Sequence, residues 1–403
     1  METDKFYRDK HIKYFNRCLG ILPSKYESED SNKLALIYFS LAGLDLLGAL
    51  DEIPQTTKDE YKEWVYMHYI STKEGFRGSA IYDLHDHDNH GDDDNDNSYD
   101  KPNLAATCFA LQILIILKDE NLVKRIDRYK ILNYLVKCQL ENGSFAPGLD
   151  IYGYPFGEND LRYCMLASTI RFLLGFSNGV KSQNYNNNNY QDINILKFQE
   201  YIKSLQSYDG GFGIFKMSES HAGICFCGLS GLILSDNNNN QDKIIEKLNI
   251  EKLTKFLVFR QVSSDEGDGG DGDGDGDGGF NGRLNKDSDT CYCFWVMSSL
   301  FLIKRQNLID FDKLSKFLIN HTQNKVMGGF NKSIDPDETP DPLHSFLGLA
   351  ALSLISNDDN DYNNDNKSSN PFLTGLNLNL KKLDPKVVIS KESYDFGINL
   401  KWE

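Results

Sequence analysis

Two kinds of apolar pattern alternate along the chain. Four segments carry apolar residues three or four positions apart with charged residues between them, which is typical of helices with one face in water; they are Ile126–Gln139, Ile193–Gln206, Ile244–Gln261 and Leu308–Gln323. Six others are apolar on nearly every side, as buried helices are; they are Leu34–Leu50, Leu104–Leu117, Leu161–Phe176, His221–Ser235, Asp289–Lys304 and His344–Ile355. The alternation predicts pairs of a half-exposed outer helix and a buried inner helix.

A short phrase containing Gly and Phe recurs between the outer and inner segments. It reads CQLENGSFAPG at Cys138–Gly148, LQSYDGGFG at Leu205–Gly213, GGFNG at Gly278–Gly282 and TQNKVMGGFNK at Thr322–Lys332, with a shorter EGFRGS at Glu74–Ser79. A glutamine stands shortly before four of these turns; they are Gln139, Gln206, Gln261 and Gln323. We expect the glycines to end the outer helices and the phenylalanines to pack beneath them. About six such hairpins closed into a ring make an α/α toroid, so the repeat predicts an all-α barrel forming a single domain over residues 1–403.

Tracts rich in Asn, Asp and Gly interrupt the repeat, at about 85–100, 183–191, 236–241, 263–277 and 357–370. Such composition cannot bury apolar surface, so we predict that these inserts are disordered and dispensable. Two of them hold fourteen carboxylates, which accounts for most of the net charge of -16. The acidity is therefore local, and it predicts neither a basic partner nor a nucleic acid.

The cysteines and the apolar runs bear on the compartment. Most of the eight cysteines lie inside apolar helical segments, as buried free thiols do. The chain begins without an apolar signal segment, and no apolar run reaches the length that spans a bilayer. We therefore expect a cytoplasmic protein with reduced thiols and without stable membrane insertion.

Polar clusters open three of the predicted inner helices, and a ring would gather them at one place. Asp289 and Cys291 stand two residues apart at one helix start, and His344 opens another. Carboxylate, thiolate and imidazole make a plausible zinc set, and three protein ligands leave one position open for substrate. By spacing alone, a lone Asp, Cys or His before an apolar helix is more often a helix cap or a core residue.

A second group combines cations with hydrogen-bond donors at helix entrances. His221, Arg283, Lys286 and Tyr292 would suit an anionic phosphate group. The alternative reading is a solvated charged turn.

Several longer motifs carry a resemblance to a known family. The most specific of these motifs are GRLNKDSDTCYCFW and the later PDPLH. The others are FYRDKHIKYFNRCLGILP, GLDLL, EGFRG, GENDLR and LQSYDGGFG. In these motifs the chain resembles the β subunits of protein prenyltransferases over nearly its whole length outside the inserts. The resemblance implies an α/α barrel that pairs with a crescent-shaped helical α subunit as a heterodimer.

The resemblance also implies roles for individual residues. One zinc ion would be held by Asp289, Cys291 and His344, and it would bind the substrate cysteine and lower the pKa of its thiol. The thiolate would attack C1 of the prenyl diphosphate, whose diphosphate group leaves. The residues that would contact the lipid diphosphate are His221, Gly223, Arg283, Lys286, Tyr292 and Trp295, the last along the isoprene chain. Glu158 and Arg162 would organise the site for the substrate's C-terminal carboxylate, close to Asn103.

The resemblance is strongest to geranylgeranyltransferase type I, which acts on proteins ending in Cys-a-a-X with X often Leu, such as small GTPases. Farnesyltransferases resemble the chain but carry bulky aromatics where it has Ala35 and Leu343, beside Phe39 in the same pocket. Lys332 stands where the other types carry an acidic magnesium ligand, so we expect that magnesium is not required. Farnesyltransferase and Rab geranylgeranyltransferase β subunits remain alternatives, as do a terpene cyclase-like toroid and a non-catalytic helical scaffold.

Overall fold

A computed structural model describes residues 4–70, 74–80, 101–176, 191–236, 241–262, 277–357 and 371–402. The inserts predicted at about 85–100, 183–191, 236–241, 263–277 and 357–370 lie outside the described residues except at their ends.

Twelve helices in the described ranges alternate between the outside and the inside of a ring. The outer ones are α1 Arg8–Gly20, α3 Gln55–Tyr66, α5 Arg128–Cys138, α7 Ile195–Ser204, α9 Ile250–Val258 and α11 Phe311–Lys316, which continues as a π-helical turn at Phe317–Thr322. The inner ones are α2 Lys33–Leu46, α4 Leu104–Ile116, α6 Leu161–Leu173, α8 Ala222–Leu234, α10 Thr290–Leu302 and α12 Pro342–Ser356. Short helical turns lie between them at Ser24–Asn32, Leu50–Glu52, Leu122–Arg125, Gln241–Ile245, Gln306–Leu308 and Pro371–Thr374.

The inner helices form a closed ring. Each packs against the next along the chain, and α12 packs back against α2. Their buried apolar faces merge into one core. The all-α toroid predicted from the repeat is therefore confirmed.

The four glutamines that precede the Gly–Phe turns form hydrogen bonds between successive hairpins. The side chain of Gln206 accepts from the N–H of Asn249 at 2.9 Å and donates to its carbonyl at 3.2 Å, and Asn249 caps the next outer helix. Gln139 and Gln261 bond in the same way to the residues that cap α7 and α11. Gln323 closes the ring, because it accepts from the Tyr7 N–H at 2.9 Å and donates to the Lys5 carbonyl at 2.9 Å.

The outer helices differ in their ends from the prediction. They stop before each glutamine, so the glycines belong to the turn that follows and do not end the helix. Gly210 has a φ of 94°, and a Cβ there would lie 2.3 Å from the backbone of Lys252 in the next outer helix. The predicted helix Ile244–Gln261 is broken, because the Asn249 side chain caps a new helix by accepting from the Lys252 N–H. The turn phenylalanines are fully buried, as expected; they are Phe76, Phe145, Phe212, Phe280 and Phe330.

Two small antiparallel hairpins were not predicted. Strands β1 Gly148–Leu149 and β2 Pro155–Phe156 flank a turn held by the Asp150 carboxylate, which accepts from two backbone N–H groups. Strands β3 Leu383–Asp384 and β4 Ile389–Ser390 precede a last helix, α13 Lys391–Ile398. Two-residue strands give no alternating pattern that a sequence could reveal.

The C-terminal segment crosses one end of the barrel. The Tyr38 hydroxyl donates to the Val388 carbonyl at 2.6 Å, and Gln112 donates to the Val387 carbonyl at 2.7 Å. Serines near the C-terminal ends of three further inner helices donate to carbonyls of the same segment; they are Ser230, Ser298 and Ser353. This end of the barrel is closed, whereas the inner helices begin at the other end.

No helix within the described ranges has both the length and the apolar character that crossing a membrane requires.

Candidate active site

The residues that cap the inner helices gather at the open end of the barrel. In five inner helices the residue before the first turn accepts a hydrogen bond from a backbone N–H of that turn; these residues are Asn103, Asp160, His221, Asp289 and Asp341. Since successive inner helices run side by side in the same direction, their capped ends meet at one edge of the ring. The prediction that Asp289 caps an inner helix is confirmed, and the cap stands at the edge where the inner helices begin.

Asp289, Cys291 and His344 converge at this edge. One ligand atom from each lies within 4.8 Å of the other two. His344 Nε2 is 3.3 Å from Asp289 Oδ1, and its Nδ1 is 2.6 Å from Asp341 Oδ2. Asp341 thereby fixes the ring so that Nε2 faces the cluster, which is the usual arrangement for a metal-binding histidine. The donor set of one oxygen, one sulfur and one nitrogen suits zinc.

The electrostatics of the cluster favour a positive charge at its centre. Burial alone would lower the pKa of His344, but hydrogen bonds to Asp289, Asp341 and Cys291 outweigh it and raise the pKa to about 12. Burial raises the pKa of the Cys291 thiol to about 12. The thiol would therefore need a cation beside it to act as a thiolate ligand.

His221 and Tyr292 form a hydrogen-bonded pair beside the cluster. His221 Nε2 lies 2.9 Å from the Tyr292 hydroxyl, while its Nδ1 accepts from the N–H groups of Gly223 at 3.1 Å and Ile224 at 3.4 Å. Burial, followed by the nearby Arg283, lowers the pKa of His221, so the imidazole is neutral at pH 7. Burial raises the pKa of Tyr292 to about 12, which keeps its hydroxyl protonated.

The cations predicted for this site lie on loops of the same edge. Arg283 forms an ion pair with Glu219 at 2.9 Å and keeps an exposed fraction of 42%. Lys286 and Lys332 are exposed. The Lys332 carbonyl accepts from the N–H of Thr290, the first residue of α10, at 2.8 Å. Lys332 is therefore anchored one residue from Asp289, although the two are far apart in the chain.

Aromatic rings line the barrel below the edge. Trp295 packs on Phe226 and Phe294 with ring centroids 5.0 Å apart in both cases. Across the ring, Phe39 lies 6.0 Å from Phe109, centroid to centroid. Ala35 and Leu343 are partly exposed on inner helices that pack together.

The carboxylate-binding residues predicted from the GENDLR motif are already engaged with one another. Arg162 binds both oxygens of Asp160 and also contacts Glu158 at 2.7 Å. These three residues line a surface cavity of about 730 Å³ beside the open end. The Asn103 side chain accepts from the Ala106 N–H at 2.8 Å, so it caps α4.

Sequence reasoning missed three carboxylates at this edge. Asp341 and Asp160 hold His344 and Arg162, and the signal was their position directly before an apolar helix. Asp277 was placed in an insert, but its Oδ1 accepts from the Gly279 N–H at 3.0 Å and so belongs to the Gly–Phe turn. An Asp in an Asp/Gly tract cannot be told from its neighbours without the fold.

Comparisons with known proteins agree with the toroid fold. The profile of the prenyltransferase alpha-alpha toroid domain matches residues 6–389, and the chain belongs to that family. The β subunits of geranylgeranyl transferase type 1 from Arabidopsis thaliana and Dictyostelium discoideum are 32% and 33% identical to it. The first alignment covers 87% of this chain and 85% of the relative, the second 86% and 90%.

A solved structure gives the same grouping. Candida albicans protein geranylgeranyltransferase-I complexed with GGPP matches with a TM-score of 0.77 and 34% identity, covering 98% of this chain and 99% of that chain. Within the family the chain therefore groups with the type-1 geranylgeranyl transferase β subunits.

Proposed function

We propose that the chain is the catalytic β subunit of a protein geranylgeranyltransferase of type I. It would transfer the geranylgeranyl group from its diphosphate to the cysteine thiol of proteins that end in Cys-a-a-X. The observation that carries this proposal is the convergence of Asp289, Cys291 and His344 within 4.8 Å at the open end of the barrel. The grouping with type-1 β subunits supports the choice of lipid.

We assign one zinc ion to Asp289, Cys291 and His344, because their donor atoms and spacing suit it. When bound, zinc supplies a positive charge that lowers the pKa of a substrate thiol. Asp341 holds His344 in the orientation in which Nε2 faces Asp289, and in which Nε2 would be available to the ion.

The diphosphate would lie against Arg283, Lys286 and the Tyr292 hydroxyl. Negative charge grows on this leaving group as its bond to C1 breaks, and cations and donors fixed beforehand stabilise that charge. Gly223 places a backbone N–H against His221 at 3.1 Å and holds the imidazole beside Tyr292. The isoprene chain would run over Trp295 into the aromatic interior.

Four positions bear on the lipid length and on the metal requirement. Ala35 and Leu343 would leave space for a fourth isoprene unit, and Phe39 would bound the same pocket. The backbone of Lys332 is anchored to Thr290, and its ammonium group would take the place of magnesium at the diphosphate. We therefore propose that turnover does not require magnesium.

The partner and the compartment are part of the proposal. We propose a heterodimer with a helical prenyltransferase α subunit. Arg162 is neutralised by Asp160 and Glu158, so these residues would shape the cavity for the substrate's C-terminus near Asn103. The eight cysteines, all within the described residues, form no disulfide, which is in keeping with a reducing cytoplasm.

The test is transfer by the purified heterodimer. We expect thioether formation with geranylgeranyl diphosphate and a peptide ending in Cys-a-a-Leu, with lower kcat/KM for farnesyl diphosphate. Zinc measured by atomic emission should reach one equivalent, and Cys291→Ala should lose it, whereas the matched variant Cys293→Ala should keep it. A wild-type heterodimer that prefers farnesyl diphosphate would instead identify a farnesyltransferase.

A further inference from the structure

The Gly–Phe turn before α8 is tied to the residue that precedes His221. The Ser220 hydroxyl donates to Asp209 Oδ1 at 2.5 Å, and the Gly211 N–H donates to the same oxygen at 3.1 Å. The next residue is fixed as well, because the His221 N–H donates to the Phe212 carbonyl at 2.9 Å. The loop that precedes α8 is thus bonded to the Gly–Phe turn through both the Ser220 side chain and the His221 backbone.

The turn before α10 repeats this arrangement in front of Asp289. The Ser288 hydroxyl donates to Asp277 Oδ1 at 2.7 Å, and the Gly279 N–H donates to that oxygen at 3.0 Å. The Asp289 N–H donates to the Phe280 carbonyl at 3.0 Å. We call each Asp–Ser pair a strut.

The remaining Gly–Phe turns with a preceding glutamine lack a strut. In one, Asn142 at the position of the aspartate accepts from both the N–H and the hydroxyl of its neighbour Ser144. There Asn159 stands directly before the helix cap, and it donates to Ser144 at 3.1 Å. In the turn before α12 the two positions are Met327 and Pro340, which cannot form the bond. The struts therefore precede the two caps, His221 and Asp289, that also face the proposed chemistry.

We infer that the struts are positioning devices, and that each serves a different part of the site. Ser288 and Asp277 would set the carboxylate of Asp289 toward the metal, whereas Ser220 and Asp209 would set His221 toward the diphosphate side. The inference rests on the proposed function, since it concerns how the same site is held in place.

The burial and the charge of the Asp–Ser hydrogen bonds explain why losing a strut should matter. Ser220 and Ser288 are 2% and 5% exposed, so water cannot easily take the place of either partner in these buried hydrogen bonds. A hydrogen bond to a charged carboxylate is roughly twice as strong as a neutral one. Removing outer partners that orient a metal ligand typically weakens metal affinity by about tenfold to a hundredfold.

The test compares two matched substitutions in the heterodimer with its α subunit. Ser288→Ala should raise the zinc dissociation constant about tenfold, measured by competition with a chromogenic chelator, and leave affinity for geranylgeranyl diphosphate at saturating zinc unchanged. Ser220→Ala should leave zinc affinity unchanged and weaken lipid diphosphate binding about tenfold. Neither substitution alters charge, so each serves as the control for the other.

A second pair of variants separates geometry from general stability. Asp277→Asn keeps an oxygen acceptor but loses its charge, so it should weaken zinc binding less than Asp277→Ala, which should behave like Ser288→Ala. Wild-type zinc affinity in both Ser288→Ala and Asp277→Ala overturns the inference, as does equal weakening of zinc and lipid binding by both serine variants. A wild-type heterodimer that binds no zinc would instead refute the proposed function.

Discussion

The imidazole of His221 and the hydroxyl of Tyr292 are joined by a hydrogen bond of 2.9 Å whose direction is fixed by the helix below it. Backbone N–H groups of Gly223 and Ile224 point at His221 Nδ1, which must therefore accept. In a neutral imidazole the proton then sits on Nε2, and Tyr292 accepts it. The hydroxyl proton of Tyr292 remains free to be donated to a leaving diphosphate.

The first prediction concerns the coupling of these two residues. Tyr292→Phe should lower kcat by about tenfold to a hundredfold, because it removes a donor to the developing charge. His221→Asn should lower kcat as well, since asparagine can cap the helix but leaves the tyrosine without its partner. Adding His221→Asn to Tyr292→Phe should change kcat by less than about threefold. Fully multiplicative effects would mean that the two act independently.

The second prediction concerns magnesium. Lys332→Asp should lower turnover in magnesium-free buffer, and magnesium should restore part of it, because a carboxylate can recruit the ion. Lys332→Met is the matched control, since it removes the charge without offering a ligand, and magnesium should not rescue it. Steady-state transfer rates measured across a magnesium titration would show whether magnesium rescues either variant. Wild-type enzyme that stops in magnesium-free buffer would contradict the role given to Lys332.

The third prediction concerns lipid length. Ala35→Trp should fill the space of the last isoprene and shift kcat/KM toward farnesyl diphosphate by on the order of a hundredfold, since each buried methylene contributes about 0.8 kcal/mol. Ala35→Val adds less volume and should shift the ratio less. Competition between the two lipids measures the ratio directly. Equal losses with both lipids would indicate that Ala35 lies away from the end of the tunnel.

The fourth prediction concerns acid stability at the ring closure. His11 is buried between the rings of Phe6 and Phe330; its Nδ1 accepts from the Gly329 N–H at 2.9 Å, and its Nε2 faces Gln323 Oε1 at 2.9 Å. Burial lowers the pKa of His11 from 6.5 to about 4. Between these values the unfolded chain binds a proton that the folded chain does not. The stability that the neutral His11 contributes to the folded state is therefore fully present above pH 6.5. It is lost as the pH falls toward 4.

The loss should be on the order of 3 kcal/mol over that window. His11→Gln removes the titration, so the stability difference between wild type and variant should shrink as the pH is lowered from about 7 to about 4.5. Thermal melting of the heterodimer at both pH values provides the measurement. A difference that stays constant would show that His11 does not titrate in this window.

The fifth prediction corrects the boundary of an insert. Replacing residues 265–275 by a short Gly–Ser linker should preserve zinc content and turnover, because a change in loop length costs little. Extending the deletion through Asp277 should lower zinc content, since the strut to Ser288 is then lost. The two deletions differ by two residues, which makes each the control of the other.

The repeat shows how far the sequence alone could go. Apolar periodicity and the recurring Gly–Phe turns determined the toroid, because every hairpin must bury its inner helix against its neighbours. The same periodicity could not locate the helix breaks, since the Asn249 cap depends on one local side chain. The motifs also predicted which residues belong to the site, because they resemble a family at specific positions.

Tertiary structure decided what those residues do to one another. Asp289 and His344 meet because the successive inner helices α10 and α12, at whose starts they stand, pack side by side. The ring as a whole is closed by Gln323, which bonds to Lys5 and Tyr7. Contacts between distant segments leave no periodic trace in a sequence. The tautomer of His221 and the separation of Asp277 from its acidic tract were decided in the same way, because each depends on which backbone N–H groups the fold places within reach of a side chain.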